Sequence, residues 1–238
     1  MNLDVLVFAA HPDDAELSMG GTIAKFTSNN LKVGIIDFTR GELGTRGTAE
    51  TRQKEAFQAA ITLKAALREN LYIPDGNIMR NQENLMKVVM EIRKYKPKII
   101  FAPYFNDRHP DHIDASIIVK KAMFQSGLPK VKTFDKEVAQ EAYRPQKLFY
   151  YMQTYTFKPT FIVDITDTIE QKMKAVRAFS TQFYDPKSSE PETFISSPRF
   201  LDYIKTRSKF YGFQIRKAYG EPFFCEEDIE LDLKSYFQ

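Results

Sequence analysis

Cysteine is nearly absent from this chain, since Cys225 is the only one among 238 residues. A single cysteine excludes an internal disulfide framework and a metal site built from thiolates. Histidine is almost as scarce, with three residues, and tryptophan is missing. No apolar run in the sequence approaches the length of a membrane span. Any chemistry that needs imidazole therefore depends on three residues.

An excess of charge of one sign is also missing, because 34 Lys and Arg are balanced by 31 Asp and Glu. The basic residues are spread along the chain without the aromatic interleaving of a nucleic-acid groove. The start of the chain carries Asp4 where a signal peptide would carry bases, and the apolar run 5–10 is too short for a signal core. We expect a cytoplasmic protein that binds neither nucleic acid nor membrane, with a homo-oligomeric state left open.

Length and hydrophobic pattern predict the fold class. With 43% hydrophobic residues, the chain can bury one sizeable core, and we expect a single domain over residues 1–238. Strand and helix patterns alternate, which predicts a Rossmann-like, doubly wound, mostly parallel sheet flanked by helices. The predicted strands are 5–10, 32–38, a short one near 71, 98–102, 148–152 and 161–165. The predicted helices are one ending near 30 and those at 48–67, 82–95, 111–126, 168–183 and 198–211.

All three histidines lie in His-Pro-Asp settings, His11 in Ala10–Asp14 (AHPDD) and the others in His109–His112 (HPDH). Composition alone would place Pro-Asp after a given histidine only about three times in a thousand. Imidazole and carboxylate together are ligands that a borderline ion such as zinc binds. The alternative is that each histidine is an ordinary surface or core residue.

The two motifs are predicted to meet at one edge of the sheet. His11 directly follows the first strand, and His109–His112 comes shortly after the strand that ends at residue 102. Ligands of doubly wound sheets bind beyond the carboxyl ends of the strands, and each Pro restricts the backbone of the histidine before it. Asp13 and Asp14 fall at a helix N-terminus, where the alternative role is simple capping.

With these motifs the chain resembles the PIG-L/LmbE family of zinc-dependent N-acetylglucosamine (GlcNAc) deacetylases. The segment Gly41–Arg52 (GELGTRGTAETR) resembles the bacillithiol-biosynthesis branch, which deacetylates N-acetyl-glucosaminyl-malate (GlcNAc-malate). The resemblance implies one zinc ion and small-molecule GlcNAc conjugates as substrates. The implied zinc ligands are His11, Asp14 and His112. The implied catalytic residues are Asp13 as general base, His109 as a protonated partner for the oxyanion or the leaving group, and Asp111 as the residue that orients His109.

The proposed chemistry needs an open metal position. Three protein ligands leave room for a water whose pKa the metal lowers, and Asp13 would take its proton. The spacing of the second motif also permits a closed, structural site. Its four ligands would be His11, Asp14, His109 and His112. A non-catalytic zinc-binding protein is a further alternative.

Arginines are the natural partners of the two malate carboxylates. Arg46, Arg52 and Arg108 are the predicted substrate-binding residues, although a solvated Arg52 paired with Glu50 or Glu55 is the alternative for that position. A deacetylase of another GlcNAc conjugate or of a chitooligosaccharide is favoured if the segment from Arg46 to Arg52 points away from the cleft. We also expect the polar, proline-rich loop 184–191 to border the site.

Overall fold

The computed structural model describes residues 1–230, which form nine strands and six α-helices. The strands are β1 (Val5–Ala9), β2 (Val33–Asp37), β3 (Leu67–Asn70), β4 (Ile99–Pro103), β5 (Phe134–Asp135), β6 (Val138–Ala139), β7 (Lys147–Tyr151), β8 (Phe161–Asp164) and β9 (Gly220–Phe224). The helices are α1 (Asp14–Ser28), α2 (Ala49–Leu63), α3 (Gln82–Tyr95), α4 (Pro110–Ser126), α5 (Ile169–Arg177) and α6 (Phe200–Gln214). None of these helices is long and apolar enough to cross a membrane.

The main sheet has seven strands in the order β3-β2-β1-β4-β7-β9-β8, and β5 and β6 form a separate hairpin. The first five strands in this order are parallel, whereas β9 runs antiparallel to both of its neighbours. The sheet is therefore mostly parallel, and the predicted fold class is confirmed. The central position of β1 explains its continuous apolar sequence, because a strand inside such a sheet is covered on both faces.

Two apolar clusters cover the faces of the sheet. Val5, Val7 and Ala9 of β1 pack with residues of α1, α2, α5 and α6. Leu6 and Phe8, which point to the opposite face, pack with residues of α3 and α4. The alternation along one strand thus assigns helices to both sides, as a doubly wound sheet requires.

Helix α1 is interrupted at Met19, whose φ of −136° and ψ of 21° are not helical. The interruption leaves backbone N–H groups without their helical acceptors. Glu221 of β9 accepts from Gly21 N at 3.0 Å and from Thr22 N at 2.7 Å, and Lys172 Nζ of α5 lies 2.5 Å from the same carboxylate. All of this lies in the interior, since Lys172 and Glu221 are each 1% exposed.

The main differences from the prediction are two element boundaries and one missed strand of the main sheet. The third strand lies at Leu67–Asn70, before rather than at residue 71, since α2 ends at Leu63 with Lys64 in a left-handed conformation. The helix predicted over 168–183 ends at Arg177, because Glu55 accepts from the backbone of Thr181 and from nearby hydroxyls in a 3-10 turn. The sequence did not predict β9, whose glycine and proline are poor strand formers.

Candidate active site

The carboxyl ends of four parallel strands converge on one cavity of about 550 Å³. His11 follows β1, Asp75 lies in the loop after β3, His109 and His112 follow β4, and Gln153 follows β7. This is the edge at which doubly wound sheets bind ligands. The structure thus brings the two histidine motifs together where the sequence placed them.

The floor of the cavity is polar and its outer wall is apolar and aromatic. The wall comes from the start of α6 and the segment before it. Its members are Phe194, Ile195, Phe200, Tyr203 and Ile204. None of the residues 184–191, which were predicted to border the site, lines the cavity, whereas Thr193 to Ile195 just after them do. A polar floor with an apolar wall is typical of sites for small molecules with an apolar face.

Helix α1 begins at Asp14, and Asp13 occupies the capping position before it with φ of 112°. A non-glycine residue in this region carries a strain of about 1–3 kcal/mol, and such strain is common at functional sites. The Asp13 side chain makes no capping hydrogen bond, so the alternative that it serves as a simple cap is wrong. The Asp14 carboxylate accepts a hydrogen bond from His11 N at 2.9 Å, which folds the motif back on itself.

Both nitrogens of the buried His11 ring face carboxylates. Nδ1 lies 3.5 Å from Asp14 Oδ2, and Nε2 lies 3.0 Å from Asp75 Oδ1 and 3.4 Å from Asp111 Oδ2. Burial lowers the pKa of His11, but hydrogen bonds to Asp111, Asp14 and Asp75 outweigh it and raise the pKa well above 6.5. The carboxylates around the His11 ring therefore favour its protonated, positively charged form.

Helix α4 starts at Pro110, and the ring of His109 caps it by accepting from Asp111 N at 3.2 Å. One turn on, His112 Nδ1 lies 2.9 Å from Asp107 Oδ1, while Nε2 lies 3.3 Å from Asp14 Oδ1. The His109 and His112 rings stack with centroids 4.9 Å apart. The second motif thus presents His112 Nε2 to the first motif.

Asp111 contacts His109 through its backbone N–H, not through its carboxylate. The carboxylate is turned to His11 Nε2 and to Gly76 N, from which it accepts a hydrogen bond at 2.9 Å. The resemblance implied that this carboxylate orients His109, and the geometry differs because Asp111 lies in the first turn of α4. Burial and the nearby His11 and His112 lower the pKa of His109 below 6.5, which does not favour the implied protonated form.

The donors facing Asp14 fit a divalent ion. Tetrahedral zinc with ligands at about 2.0–2.2 Å separates its donor atoms by about 3.3–3.6 Å. The distances from Asp14 oxygens to His11 Nδ1 and to His112 Nε2 are 3.5 and 3.3 Å. Each imidazole also places its other nitrogen on a carboxylate, the usual arrangement behind a metal-ligating histidine. One ring nitrogen from each of the three histidines lies within 4.8 Å of the others, and ligand atoms of His11, Asp75 and Asp111 form a second such group.

Arg52 is buried and holds the first motif. Its Nη2 donates to Pro12 O at 2.5 Å and lies 3.2 Å from Asp13 Oδ2, while Nη1 donates to Gly41 O at 3.2 Å. Gly41 has φ of 67°, and a Cβ there would overlap the guanidinium, so this position needs glycine. The alternative of a solvated Arg52 is wrong, since Glu55 binds the 3-10 turn instead. Burial raises the pKa of Asp13 to about 7, with Arg52 opposing the effect.

The other two predicted arginines lie in different surroundings. Arg46 is buried behind the cavity wall, with Nε 3.5 Å from Glu190 Oε2, and does not line the cavity. Arg108 lies at the cavity mouth with its guanidinium carbon 4.8 Å from the Phe194 ring centroid. The segment from residue 46 to 52 therefore turns one arginine away from the cleft and the other toward Asp13.

Several polar residues of the site were not predicted, and three of these contact its histidines. They are Asp75, Asp107 and Gln153. Gln153 Nε2 lies 2.7 Å from Asp14 Oδ1 and 3.2 Å from His112 Nε2, and its Oε1 is buried without a partner in the described structure. Each of the three follows the end of a strand, and polar residues at that position were the available signal.

Comparisons with known proteins agree with this geometry. A family model described as "PIG-L: GlcNAc-PI de-N-acetylase" matches residues 6–123. The chain is 30% identical to a diacetylchitobiose deacetylase of Thermococcus kodakarensis, over 91% of this chain and 80% of the relative. Among solved structures, the conserved protein TT1542 from Thermus thermophilus matches with 35% identity and a TM-score of 0.87, covering 97% of this chain and 98% of that one. An N,N'-diacetylchitobiose deacetylase from Pyrococcus horikoshii matches with 29% identity and a TM-score of 0.79, covering 92% and 82%.

Proposed function

This chain belongs to the PIG-L family and is a hydrolytic N-deacetylase of GlcNAc-type substrates, and we propose that zinc held by His11, Asp14 and His112 supports the reaction. The observation that carries the proposal is the pair of imidazole nitrogens facing one carboxylate at 3.5 and 3.3 Å. A zinc ion bound there would polarise the acetamide carbonyl and lower the pKa of a water at its open position to about 7.

Asp13 is the proposed general base. It lines the cavity beside Asp14, and its carboxylate makes no capping hydrogen bond to α1. Arg52 also lines the cavity and contacts one oxygen of this carboxylate, so that the other oxygen stays available to receive a proton from the attacking water. The water oxygen forms a bond to the acetyl carbon, the C–N bond breaks, and the proton passes to the leaving amine. The products are acetate and the same sugar conjugate with a free amino group on its glucosamine.

His109 is the proposed donor to the carbonyl oxygen. Its Nδ1 accepts the N–H of Asp111, so the neutral ring carries its proton on Nε2. That N–H can donate to the oxygen as negative charge develops on it, which stabilises the transition state. A neutral donor replaces the protonated one that the resemblance implied. The role is the same, but it needs no ionised imidazole.

GlcNAc-malate is the first candidate substrate. Its two carboxylates need cationic partners, and Arg108 lies at the mouth of the cavity, where an aglycone would emerge. Arg52 and Arg46 support this candidate less than the sequence suggested. Arg52 contacts Asp13, and Arg46 does not line the cavity.

Diacetylchitobiose is the second candidate, and two observations favour it. Two proteins with that name are 30% and 29% identical to this chain over most of its length. The aromatic wall, with Phe194 and Tyr203 at the entrance, also suits the apolar face of a second sugar ring. Both candidates end in the same N-acetylglucosamine, so the reacting group lies against the same floor.

Acetate release measured on GlcNAc-malate, diacetylchitobiose and free GlcNAc tests the function and chooses the substrate. We expect activity that disappears with a chelator and returns with Zn²⁺. Arg108→Ala should lower kcat/KM on GlcNAc-malate at least tenfold more than on diacetylchitobiose if malate is the aglycone. Phe194→Ala should have the larger effect on diacetylchitobiose if a second sugar binds there. Absence of metal-dependent acetate release from all three compounds would contradict the proposal.

A further inference from the structure

Asp107 is a buried carboxylate that holds two separate parts of the site. It is 5% exposed. Its Oδ1 lies 2.9 Å from His112 Nδ1 and accepts from His109 N at 3.1 Å. Its Oδ2 accepts from Thr154 N at 2.8 Å and from Tyr155 N at 3.2 Å. Both oxygens are therefore engaged, one with the second histidine motif and one with the loop after β7.

The contact with His112 decides which ring nitrogen is available. Both ring nitrogens of His112 face carboxylates, Nδ1 that of Asp107 and Nε2 that of Asp14, and a carboxylate only accepts. A zinc ion held between His112 and Asp14 would take the lone pair of Nε2, and the one remaining ring hydrogen would lie on Nδ1, where Asp107 accepts it. Without Asp107 the neutral ring would distribute its proton between the two nitrogens and could turn about its side-chain bonds. A carboxylate behind a ligating imidazole also increases the basicity of the ligand.

The contact with residues 154 and 155 extends this control to Gln153. The loop after β7 contains Gln153, whose amide lies near both Asp14 and His112. Because Asp107 accepts from the next two backbone N–H groups, it fixes where this amide enters the cavity. One side chain thereby sets the relative positions of the β4 and β7 loops.

We propose that Asp107 is a positioning residue that fixes the Nδ1–H form of His112 and the loop carrying Gln153, and thereby sets the affinity of the site for zinc. The inference rests on the proposed function, because it takes His112 as a zinc ligand. If its role were purely structural, Asp107 would only accept hydrogen bonds from the loop backbone, and its loss would lower the stability of the fold alone. The two roles differ in what they do to metal affinity and to the His112 ring.

The test measures the zinc dissociation constant of the full chain by competition with a chromophoric chelator, beside the melting temperature of the metal-free protein. We expect Asp107→Ala to weaken zinc binding about 10- to 100-fold. Asp107→Asn keeps one acceptor but turns an N–H toward backbone N–H groups, so we expect an intermediate loss. Asp164→Asn is the matched control, since Asp164 also accepts from a nearby backbone N–H, that of Thr166 at 2.9 Å, but does not line the cavity.

Nitrogen-15 NMR of the zinc-loaded protein gives an independent reading, and the three histidines keep the spectrum simple. We expect a slowly exchanging Nδ1 proton on His112 in the wild type and its loss in Asp107→Ala. The Asn variant keeps the test valid if the Ala variant does not fold. Zinc affinity within about threefold of wild type in both folded variants, with the Nδ1 proton intact, would overturn the inference. Absence of stoichiometric zinc in the wild type would instead contradict the proposed function.

Discussion

Arg52 Nη2 lies 3.2 Å from Asp13 Oδ2, and both side chains are buried. The same nitrogen donates to Pro12 O, so the guanidinium braces the backbone and the carboxylate of the first motif together. A buried carboxylate next to Asp14 would otherwise bind its proton more tightly. Burial raises the pKa of Asp13 to about 7, and Arg52 is the main group that opposes this rise. Under the proposed role of Asp13 as the base, the arginine acts on the reaction through this carboxylate.

Replacing Arg52 should affect all substrates to a similar degree. Arg52→Ala removes the brace of Asp13, and we expect kcat/KM to fall about 30- to 1000-fold, which corresponds to about 2–4 kcal/mol. Arg52→Lys keeps the charge but not the geometry, so its loss should be smaller. Steady-state kinetics on GlcNAc-malate and on diacetylchitobiose measure the effect. A loss confined to GlcNAc-malate would show that Arg52 recognises a carboxylate.

Asp13→Asn should separate catalysis from metal binding. Asparagine keeps the size of the side chain but cannot take a proton, so we expect turnover to fall about 100- to 10,000-fold with zinc content unchanged. Metal analysis and acetate release on the same preparation check this. Glu16→Gln, at a buried carboxylate paired with Arg68, is the control for loss of a nearby charge. Normal turnover in zinc-replete Asp13→Asn would rule out the base.

Single alanine variants of His11, Asp14 and His112 should lose bound zinc, because each removes one of three ligands. His109→Ala should retain zinc and lose most of its turnover, since His109 is placed as a donor to the substrate. Elemental analysis after dialysis against a fixed free-zinc concentration gives the result. Loss of zinc in His109→Ala equal to that in His112→Ala would favour the closed, four-ligand site.

Lys172→Met should destabilise the fold strongly. The change leaves the Glu221 charge buried and uncompensated, and breaking such a pair costs about 3–5 kcal/mol in the free energy of unfolding. Lys98→Met is the control, because Lys98 pairs with Asp4 at the surface, where ion pairs contribute at most about 1 kcal/mol. Urea unfolding of both variants without metal makes the comparison. Equal midpoints for the two variants would contradict this account of Glu221.

Glu91→Gln should change how stability depends on pH. Burial raises the pKa of Glu91 to about 7, and the charge of Glu69 adds to the rise while Lys94 opposes it. A raised pKa means that the folded state holds a proton that the unfolded state releases. Its stability contribution is thus full below about pH 4.5 and is lost as the pH rises through about 7. We expect the variant to melt higher than wild type at about pH 8 and to match it at about pH 4.5.

Melting curves of the metal-free proteins from about pH 4.5 to about pH 8 measure this difference. Glu83→Gln serves as the control, because Glu83 is a largely exposed carboxylate on the same helix and pairs only with Lys87 among the described residues. A constant difference between Glu91→Gln and wild type across the whole range would disprove the shift. If Glu83→Gln changed the melting temperature with pH by the same amount, the effect would be due to net charge and not to the shifted pKa of Glu91.

The sequence was sufficient to predict the meeting of the two histidine motifs, because strand polarity alone brings residues after β1 and β4 to one edge. It could not predict the partners of each side chain. Arg52 lies on a helix whose surface residues usually face solvent, and only the path of the loop at Gly41 brings its guanidinium under Asp13. Asp75 required the position of β3, which the sequence placed a few residues too late.

The sequence pattern did not predict any polar contact between distant parts of the chain. Glu221 satisfies backbone groups of α1 from 200 residues away, and no local periodicity records such a partner. The strand β9, which carries Glu221, was also not predicted, because Gly220 and Pro222 are poor strand formers. Long-range polar contacts depend on the final packing, which single-sequence reasoning does not reach.

Because α1 is interrupted at Met19, its support depends on a part of the chain that is synthesised much later. The helix that begins with the first metal motif is completed by a carboxylate on β9, the last strand of the described chain. While the ribosome is still translating the middle of the message, His11 and Asp14 have already emerged, but the helix behind them lacks its acceptor. The backbone N–H groups of Gly21 and Thr22 therefore gain the Glu221 acceptor only after β9 has entered the sheet between β7 and β8.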